Sequence, residues 1–372
     1  MSMVEWKELG QIANLVRGRV ISKDYIRDNE GDYPVYSSQT ANDGVMGKIN
    51  SFMFDGDYLT WTTDGAYAGT VFRRKGKFNI TNVCGLIDII DDDFNQDFLY
   101  YWLSLTAKGY VLEGMGNPKL MSNVAANIRI PIIPLLSQKL IVTQLNTFTS
   151  SIENLKEQIT QRRKQYEYYR DQLLDFDGQE KMEMKPLSEV CLKTKNIKWR
   201  SEPEDNSYYY IDLSSVDIDT HQICSVSKIN KTSAPSRAQQ IVEDGDVLLG
   251  TTRPTLKRYC LIPKLYNNHI CSTGFCVIRA NDSFVSNKWI YYNIAKTKFW
   301  DYCERKQQGA GYPSLSNSDA FAYVIPVPSL SEQNRIINIL DKFEASIQNL
   351  ETRLSLREKQ YEYYRNKLLT FE

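Results

Sequence analysis

The sequence predicts an α+β chain in which two similar mixed α/β globular domains are separated by two long helices. The helices are expected to pair as an antiparallel intramolecular coiled coil with approximate two-fold symmetry. Three observations carry this. The chain repeats itself at an offset of 195, so that residues 131–176 align with 326–371 without a gap and 21 of the 46 positions are identical. Within each aligned block the apolar residues step alternately by four and by three. At 372 residues the chain exceeds one ordinary domain, and 42% hydrophobic with 24% charged residues excludes a disordered or collagenous polymer.

In the first domain, short runs at Tyr33–Tyr36, Tyr58–Trp61 and Val83–Ile90 read as strands and Asn95–Leu105 as a helix. The first seam follows: Ile141, Leu145, Phe148, Ile152, Leu155, Ile159, Arg162, Tyr166, Tyr169, Leu173, Phe176. A two-position stripe at period 3.5 over five heptads belongs to a coiled coil, whereas a single-domain helix shows a wider stripe at 3.6. Residues 177–186 are polar and read as a linker. The second domain repeats the scheme, with strands at Tyr208–Leu213, Asp246–Leu249 and Phe275–Arg279 and a helix at Asn287–Lys298. Gly56-Asp57 and Gly245-Asp246 are expected to mark the same turn into the same strand. The second seam runs from Ile336 to Phe371, entered through Ser329-x-x-Glu332, a capping box. Arg162 and Arg357 take seam positions, either to specify register or lying over an apolar neighbour. A homodimeric zipper is the alternative use of such seams. A period of 195 is a duplicated domain and not a solenoid.

Composition excludes several functions. The N-terminal stretch has no secretory pattern and no run suits a membrane span, so a cytoplasmic location without membrane association is expected. Seven cysteines without a CxxC fit reduced thiols. Lys+Arg 45 against Asp+Glu 45 gives net zero, so any site for a polyanion must be a local patch. The chain has no Pro-Pro for an adenine methyltransferase loop, and Asn117-Pro118-Lys119 fails that pattern. Gly47-Lys48-Ile49 and Gly76-Lys77-Phe78 miss a phosphate-cradling loop. His221 and His269 are the only histidines, and His269-x-Cys271 with Cys276 matches no standard zinc spacing. No catalytic constellation, metal site or cofactor site is expected in this chain.

The Gly-x-Gly-x-Pro-x-Leu motif at 114–120 and 309–315, Ile-Pro-Val-Pro-Ser-Leu-Ser-Glu-Gln at 325–333 and the Tyr-rich helix ends finishing in Leu-Leu-x-Phe carry a resemblance. Over its full length the chain resembles the specificity subunit of type I restriction-modification enzymes. The resemblance implies two target recognition domains, 1–136 and 178–330, and two spacer helices, 137–177 and 331–372. It implies a non-catalytic subunit whose domains each read half of a bipartite asymmetric site in double-stranded DNA, with the coiled coil fixing the gap. Two methyltransferase subunits and motor-nuclease restriction subunits are the implied partners, and S-adenosylmethionine, ATP and Mg belong to them. A coiled-coil scaffold with two protein-binding heads is the non-DNA alternative.

Candidate DNA contacts are basic clusters beside turns, with hydroxyls that could approach phosphates. In the first domain they are Thr62, Thr63, Arg73, Arg74, Lys75, Lys77, Asn117 and Lys119. In the second they are Thr251, Thr252, Arg253, Lys257, Arg258, Arg305, Lys306, Gln307 and Tyr312, the last placed to stack. Tyr168 with Arg170, and Tyr363 with Arg365, are the expected partner contacts, because a tyrosine outside the seam beside arginine has the composition of an interface hot spot.

Overall fold

The structure is a computed structural model that describes residues 4–113, 116–178 and 182–371. It divides into two units, Met1–Leu155 with Arg353–Glu372, and Lys156–Thr352. Each unit holds one globular domain and a segment of each long helix. The long helices are Leu135–Leu173 and Leu330–Leu368, 39 residues apiece and about 58 Å long. No helix of the described residues is long and apolar enough to cross a membrane. All seven cysteines are free.

In the first unit, strands β1 (Glu5–Glu8), β2 (Ala13–Arg17), β3 (Glu30–Tyr36), β4 (Val45–Ile49), β5 (Phe54–Thr62), β6 (Val71–Ile80), β7 (Cys84–Ile89) and β8 (Arg129–Ile132) precede the first long helix. Six of them form one mixed sheet in the order β2-β7-β5-β6-β3-β4, and β1 pairs with β8. The helix Gln96–Thr106 closes the core, packing Phe98, Leu99 and Trp102 with Leu59, Trp61 and Ile87. In the second unit, β9 (Met184–Pro186), β10 (Cys191–Leu192), β11 (Tyr208–Ile211), β12 (Ser227–Ile229), β13 (Ala238–Val242), β14 (Val247–Gly250), β15 (Tyr259–Leu261), β16 (His269–Ser272), β17 (Phe275–Ala280) and β18 (Val324–Pro326) follow the same plan. Here the sheet is split into β10-β17-β14-β15 and β12-β11-β16-β13. The long strands β5 and β6 of the first domain are each broken in two in the second.

That break corrects the expectation of a shared Gly-Asp turn. Gly245 turns the chain between β13 and β14 with φ +84, and buried Asp246 holds the turn by accepting from the Glu243 amide and pairing with Arg279. Gly56 instead sits inside β5, opposite Gly76.

Within each unit the long-helix segments run antiparallel. In the first, Phe148 stacks on Tyr364 at 5.3 Å and the Arg357 guanidinium lies over Phe148. In the second, Tyr169 stacks on Phe343 at 5.6 Å, Arg162 lies over Phe343, and Arg163 pairs with Glu351 at 2.7 Å. The seam arginines therefore cover an aromatic ring of the opposite helix, a use that lets the charge stay near water while the stem packs. At the helix entry Ser329 accepts from the Glu332 amide, but the Glu332 carboxylate pairs with Arg335 and does not complete the box.

The repeated Leu-Leu-x-Phe ends are plugs. Leu174 and Phe176 pack into the second domain's core against Trp289, and Leu369 and Phe371 pack into the first domain's core against Phe98 and Trp102. Burial of these side chains, worth about 1.5–3 kcal/mol each when complete, ties each helix end to a head.

A second repeated device joins each head to the helix that leaves it. Gln138 and Gln333 are completely buried, 195 positions apart. Gln138 Oε1 accepts from the Asn95 amide, and its Nε2 donates to Asp93 and Ile133 carbonyls. Gln333 Oε1 accepts from the Ser286 amide, and its Nε2 donates to Phe284 and Pro328 carbonyls. Asn95 and Ser286 are the N-caps of the two core helices, Gln96–Thr106 and Asn287–Ala295. One buried amide thus fixes the angle between head and spacer in each copy.

Candidate nucleic-acid interface

In each domain two loops distant in sequence are knitted together by the same backbone bonds. In the first, the Leu120 amide donates to Thr63 O and the Gly65 amide to Pro118 O, and Asp64 bridges Lys119. In the second, the Leu315 amide donates to Thr251 O and the Arg253 amide to Pro313 O, and Thr252 bridges Ser314. The repeated Gly-x-Gly-x-Pro-x-Leu motif is thereby a clamp for the loop that follows β5 or β14. Gly114 of the first copy lies outside the described residues.

The clamped loops have matched backbones. The Thr62 amide donates to Thr70 O and the Gly69 amide donates back to Thr62 O across one loop, while the Gly250 amide donates to Arg258 O across the other. Ala68 bonds Gly65 O, and Leu256 bonds Arg253 O, one turn later. The sequence Gly65-Ala-Tyr-Ala-Gly69 therefore corresponds to Arg253-Pro-Thr-Leu-Lys257. Gly65 and Gly69 have φ of +97 and +81, in the left-handed region that glycine enters freely. Arg253 and Lys257 occupy that region too, with φ of +51 and +50. A side chain there costs about 1–2 kcal/mol.

The second loop gathers the candidates of its domain. The helix Thr297–Lys306 packs on the Pro254–Leu256 turn, so the 253–258 and 305–312 clusters, separated in sequence, share one surface. Arg253, Lys257, Arg305, Lys306 and Tyr312 are exposed, Tyr312 by 74%. Arg253 lies 4.4 Å from the Tyr312 ring centre. Among the described residues none of these four cations pairs with an acid. Thr252 and Arg258 are half-buried, and Arg258 Nε and Gln307 Oε1 are buried without a partner, polar groups next to the open cluster. Thr251 does not belong to it: the side chain is buried and its hydroxyl donates to Gly274 O.

The first domain disperses its candidates. Residues 73–77 lie along β6, not on a turn, so strand alternation sends neighbours to opposite faces. Arg74 is buried, bonded to Thr60 and Asp43 and stacked on Tyr36 at 3.6 Å. Arg73 pairs with Asp97 at 2.7 Å and covers Tyr100. Lys75 and Lys77 are exposed, but stand opposite Asp57 and Asp55 in register. Thr62 and Thr63 are fully buried, donating to Tyr67 O and Asp64. These burials correct the expectation that Thr62, Thr63, Arg74 and Thr251 face a ligand. Asn117 and Lys119 are exposed on the clamp loop, and Lys119 lies 3.6 Å from Asp64. The exposed loop residue that sequence reasoning missed is Tyr67, 59% exposed, which only the matched backbone reveals.

Of the partner candidates, Tyr168 and Tyr363 are exposed by 60% and 61%. Arg170 is buried and bonded to Asp171, which corrects its reading as a surface contact, and Arg365 is half-buried beside Asn366. Burial opposes the Arg170 charge, yet the Asp171 carboxylate holds its pKa above the ordinary value. His269 Nδ1 accepts from the Tyr209 amide, and His221 packs on Tyr259 with its pKa pushed down to about 4 by burial.

Two copies of one α/β head, each bearing an exposed clamped loop and each tied to antiparallel helices, define a duplicated recognition protein. The model of the type I restriction modification DNA specificity domain matches residues 1–162 and again 179–356, and the chain belongs to that family as a type I specificity subunit with two target recognition domains. A Mycoplasma pneumoniae protein designated a type I specificity subunit is 30% identical over 377 residues, covering 97% of this chain and 96% of that one. The specificity subunit of the type I restriction enzyme MpnII of the same organism is 38% identical over 178 residues, 47% of this chain and 54% of its own. The crystal structure of the S subunit of a type I restriction-modification system from M. genitalium has the same fold, with a TM-score of 0.62 at 16% identity over 100% of this chain and 98% of that one.

Proposed function

We propose that each target recognition domain reads one half of a bipartite, asymmetric DNA site through its clamped loop pair, and that the paired long helices set the gap between the halves. The observation that carries this reading is one loop backbone used twice with different side chains. Matched scaffolds with unlike tips suit two recognition surfaces of unlike specificity, whereas a duplication serving stability alone gives the tips no reason to differ. Phosphate contacts by lysine supply affinity, and arginine or amide groups at base edges supply specificity. Holding both heads in one chain makes the second DNA contact intramolecular.

The chain in this reading performs no chemistry. Two adenine methyltransferase subunits dock on the helices through the surfaces around Tyr168 and Tyr363, and restriction subunits join for cleavage. S-adenosylmethionine, ATP and Mg act in those partners, in the cytoplasm where the DNA lies. Exchanging residues 180–325 for the equivalent region of a relative tests the division of labour. One half of the modified motif is expected to change and the other to persist. A change in both halves would show that the domains do not read independently.

A further inference from the structure

We propose that Arg253, held by Tyr312, reads a guanine in the half-site of the second domain, and that Lys257 grips the adjacent backbone phosphate. The assignment rests on the DNA-reading role proposed above and names the residues and the base class through which this domain exercises it.

At both left-handed positions of the matched loop the first domain has glycine, the residue that occupies them without penalty, and the second has a long cation. Two strained side chains in one five-residue loop, both basic, need a compensating gain, and no acid among the described residues supplies it. The strain does place the side chains. With Arg253 and Lys257 bracketing the short Pro254–Leu256 turn, both cations project from the exposed end of the clamp.

Arg253 is more than a charge here. Its guanidinium lies over the ring of Tyr312, a residue of the partner loop that is still 74% exposed, and its amide is fixed to Pro313 O at 2.7 Å. Stacking holds the guanidinium plane while leaving its in-plane N–H donors free, the arrangement that bidentate bonding to guanine O6 and N7 requires. Among the described residues no ring lies beneath Lys257, and its ammonium is a point charge on a flexible stem, suited to phosphate. The equivalent tip of the first domain, Gly65 to Gly69 beside Asp64, offers no cation, so this reading device belongs to the second domain alone.

The pseudo-symmetric glycines supply the test. Arg253→Gly and Lys257→Gly install what the first domain already uses at these backbone positions, so both variants are expected to melt at or above the temperature of the unsubstituted chain. A preferred duplex is first selected from a randomised pool with the full chain, and affinities are measured on it and on duplexes changed one base pair at a time. Arg253→Gly is expected to weaken the preferred duplex about 10- to 100-fold and to abolish discrimination at one G·C pair of one half-site, leaving all other positions intact. Arg253→Lys should retain the salt dependence but lose the same discrimination, and Tyr312→Ala should weaken it where Tyr312→Phe does not. Lys257→Gly should weaken every duplex alike and lower the salt slope by about one unit. Full discrimination by folded Arg253→Gly, or its uniform loss across all duplexes, would overturn the assignment of a base contact. Absence of salt-dependent duplex binding by the unsubstituted chain would instead overturn the DNA-reading role itself, and this assignment with it.

Discussion

Replacing Gln333 by Leu is expected to destabilise the second unit by about 3 kcal/mol. The substitution keeps much of the volume but removes three hydrogen bonds from a site with no exposed surface. It leaves the Ser286 amide and the Phe284 and Pro328 carbonyls without partners, and each unsatisfied buried group costs about 1–3 kcal/mol, less whatever is recovered by admitting water. Gln333→Glu should be nearly as damaging, because a carboxylate accepts from Ser286 but cannot donate to two carbonyls and must be buried charged or protonated. Gln138→Leu should do the same to the first unit, through Asn95, Asp93 and Ile133. Denaturant unfolding followed by hydrogen exchange at the Ser286 and Asn95 amides reports each unit separately. A loss below about 1 kcal/mol in either variant would mean that the clamp is incidental to the head–helix junction.

The second large effect concerns spacing. Inserting one heptad into each long helix, after Leu155 and after Leu350, preserves the four-three seam and adds about 10.5 Å to each helix. Both insertions are needed, because antiparallel partners of which only one is lengthened cannot keep both the match between Phe148 and Tyr364 and that between Tyr169 and Phe343. If the helices set the gap, both half-sites persist and the gap widens by about three base pairs at 3.4 Å per step. An unchanged gap in a folded, active variant would remove the helices from the spacing role.

Much of this was legible in the sequence, and the failures are instructive. The 3.5-residue period and the repeat at 195 locate the long helices, because a seam is a property of consecutive spacing. Three strands in each domain and the helix Gln96–Thr106 follow from local pattern in the same way, but the single helix expected at Asn287–Lys298 is two, Asn287–Ala295 and Thr297–Lys306, because Lys296 between them takes an extended backbone. The Arg73–Lys77 cluster shows the limit: its charges look like one patch, yet a β-strand turns Arg74 into the core, Arg73 toward Asp97, and Lys75 and Lys77 opposite acids some 20 residues back. Charge content is read locally, but pairing decides which charges are neutralised: Arg73 and Arg74 are bonded to acids, while Lys75 and Lys77 form no ion pair among the described residues. Gln138 and Gln333 did leave a signal, a polar residue kept at the same place in two helices, whose meaning lay in carbonyls contributed by loops about 45 residues away. The union of 253–258 with 305–312 was hidden for the same reason.

A base-resolution map of N6-methyladenine in the host genome, with and without the gene, decides whether this chain directs modification to a split DNA sequence. That role requires methylation at one asymmetric motif of two specific halves around an unspecified gap, lost completely on deletion and restored by the intact gene. A modification pattern that is unaffected by deletion would contradict it.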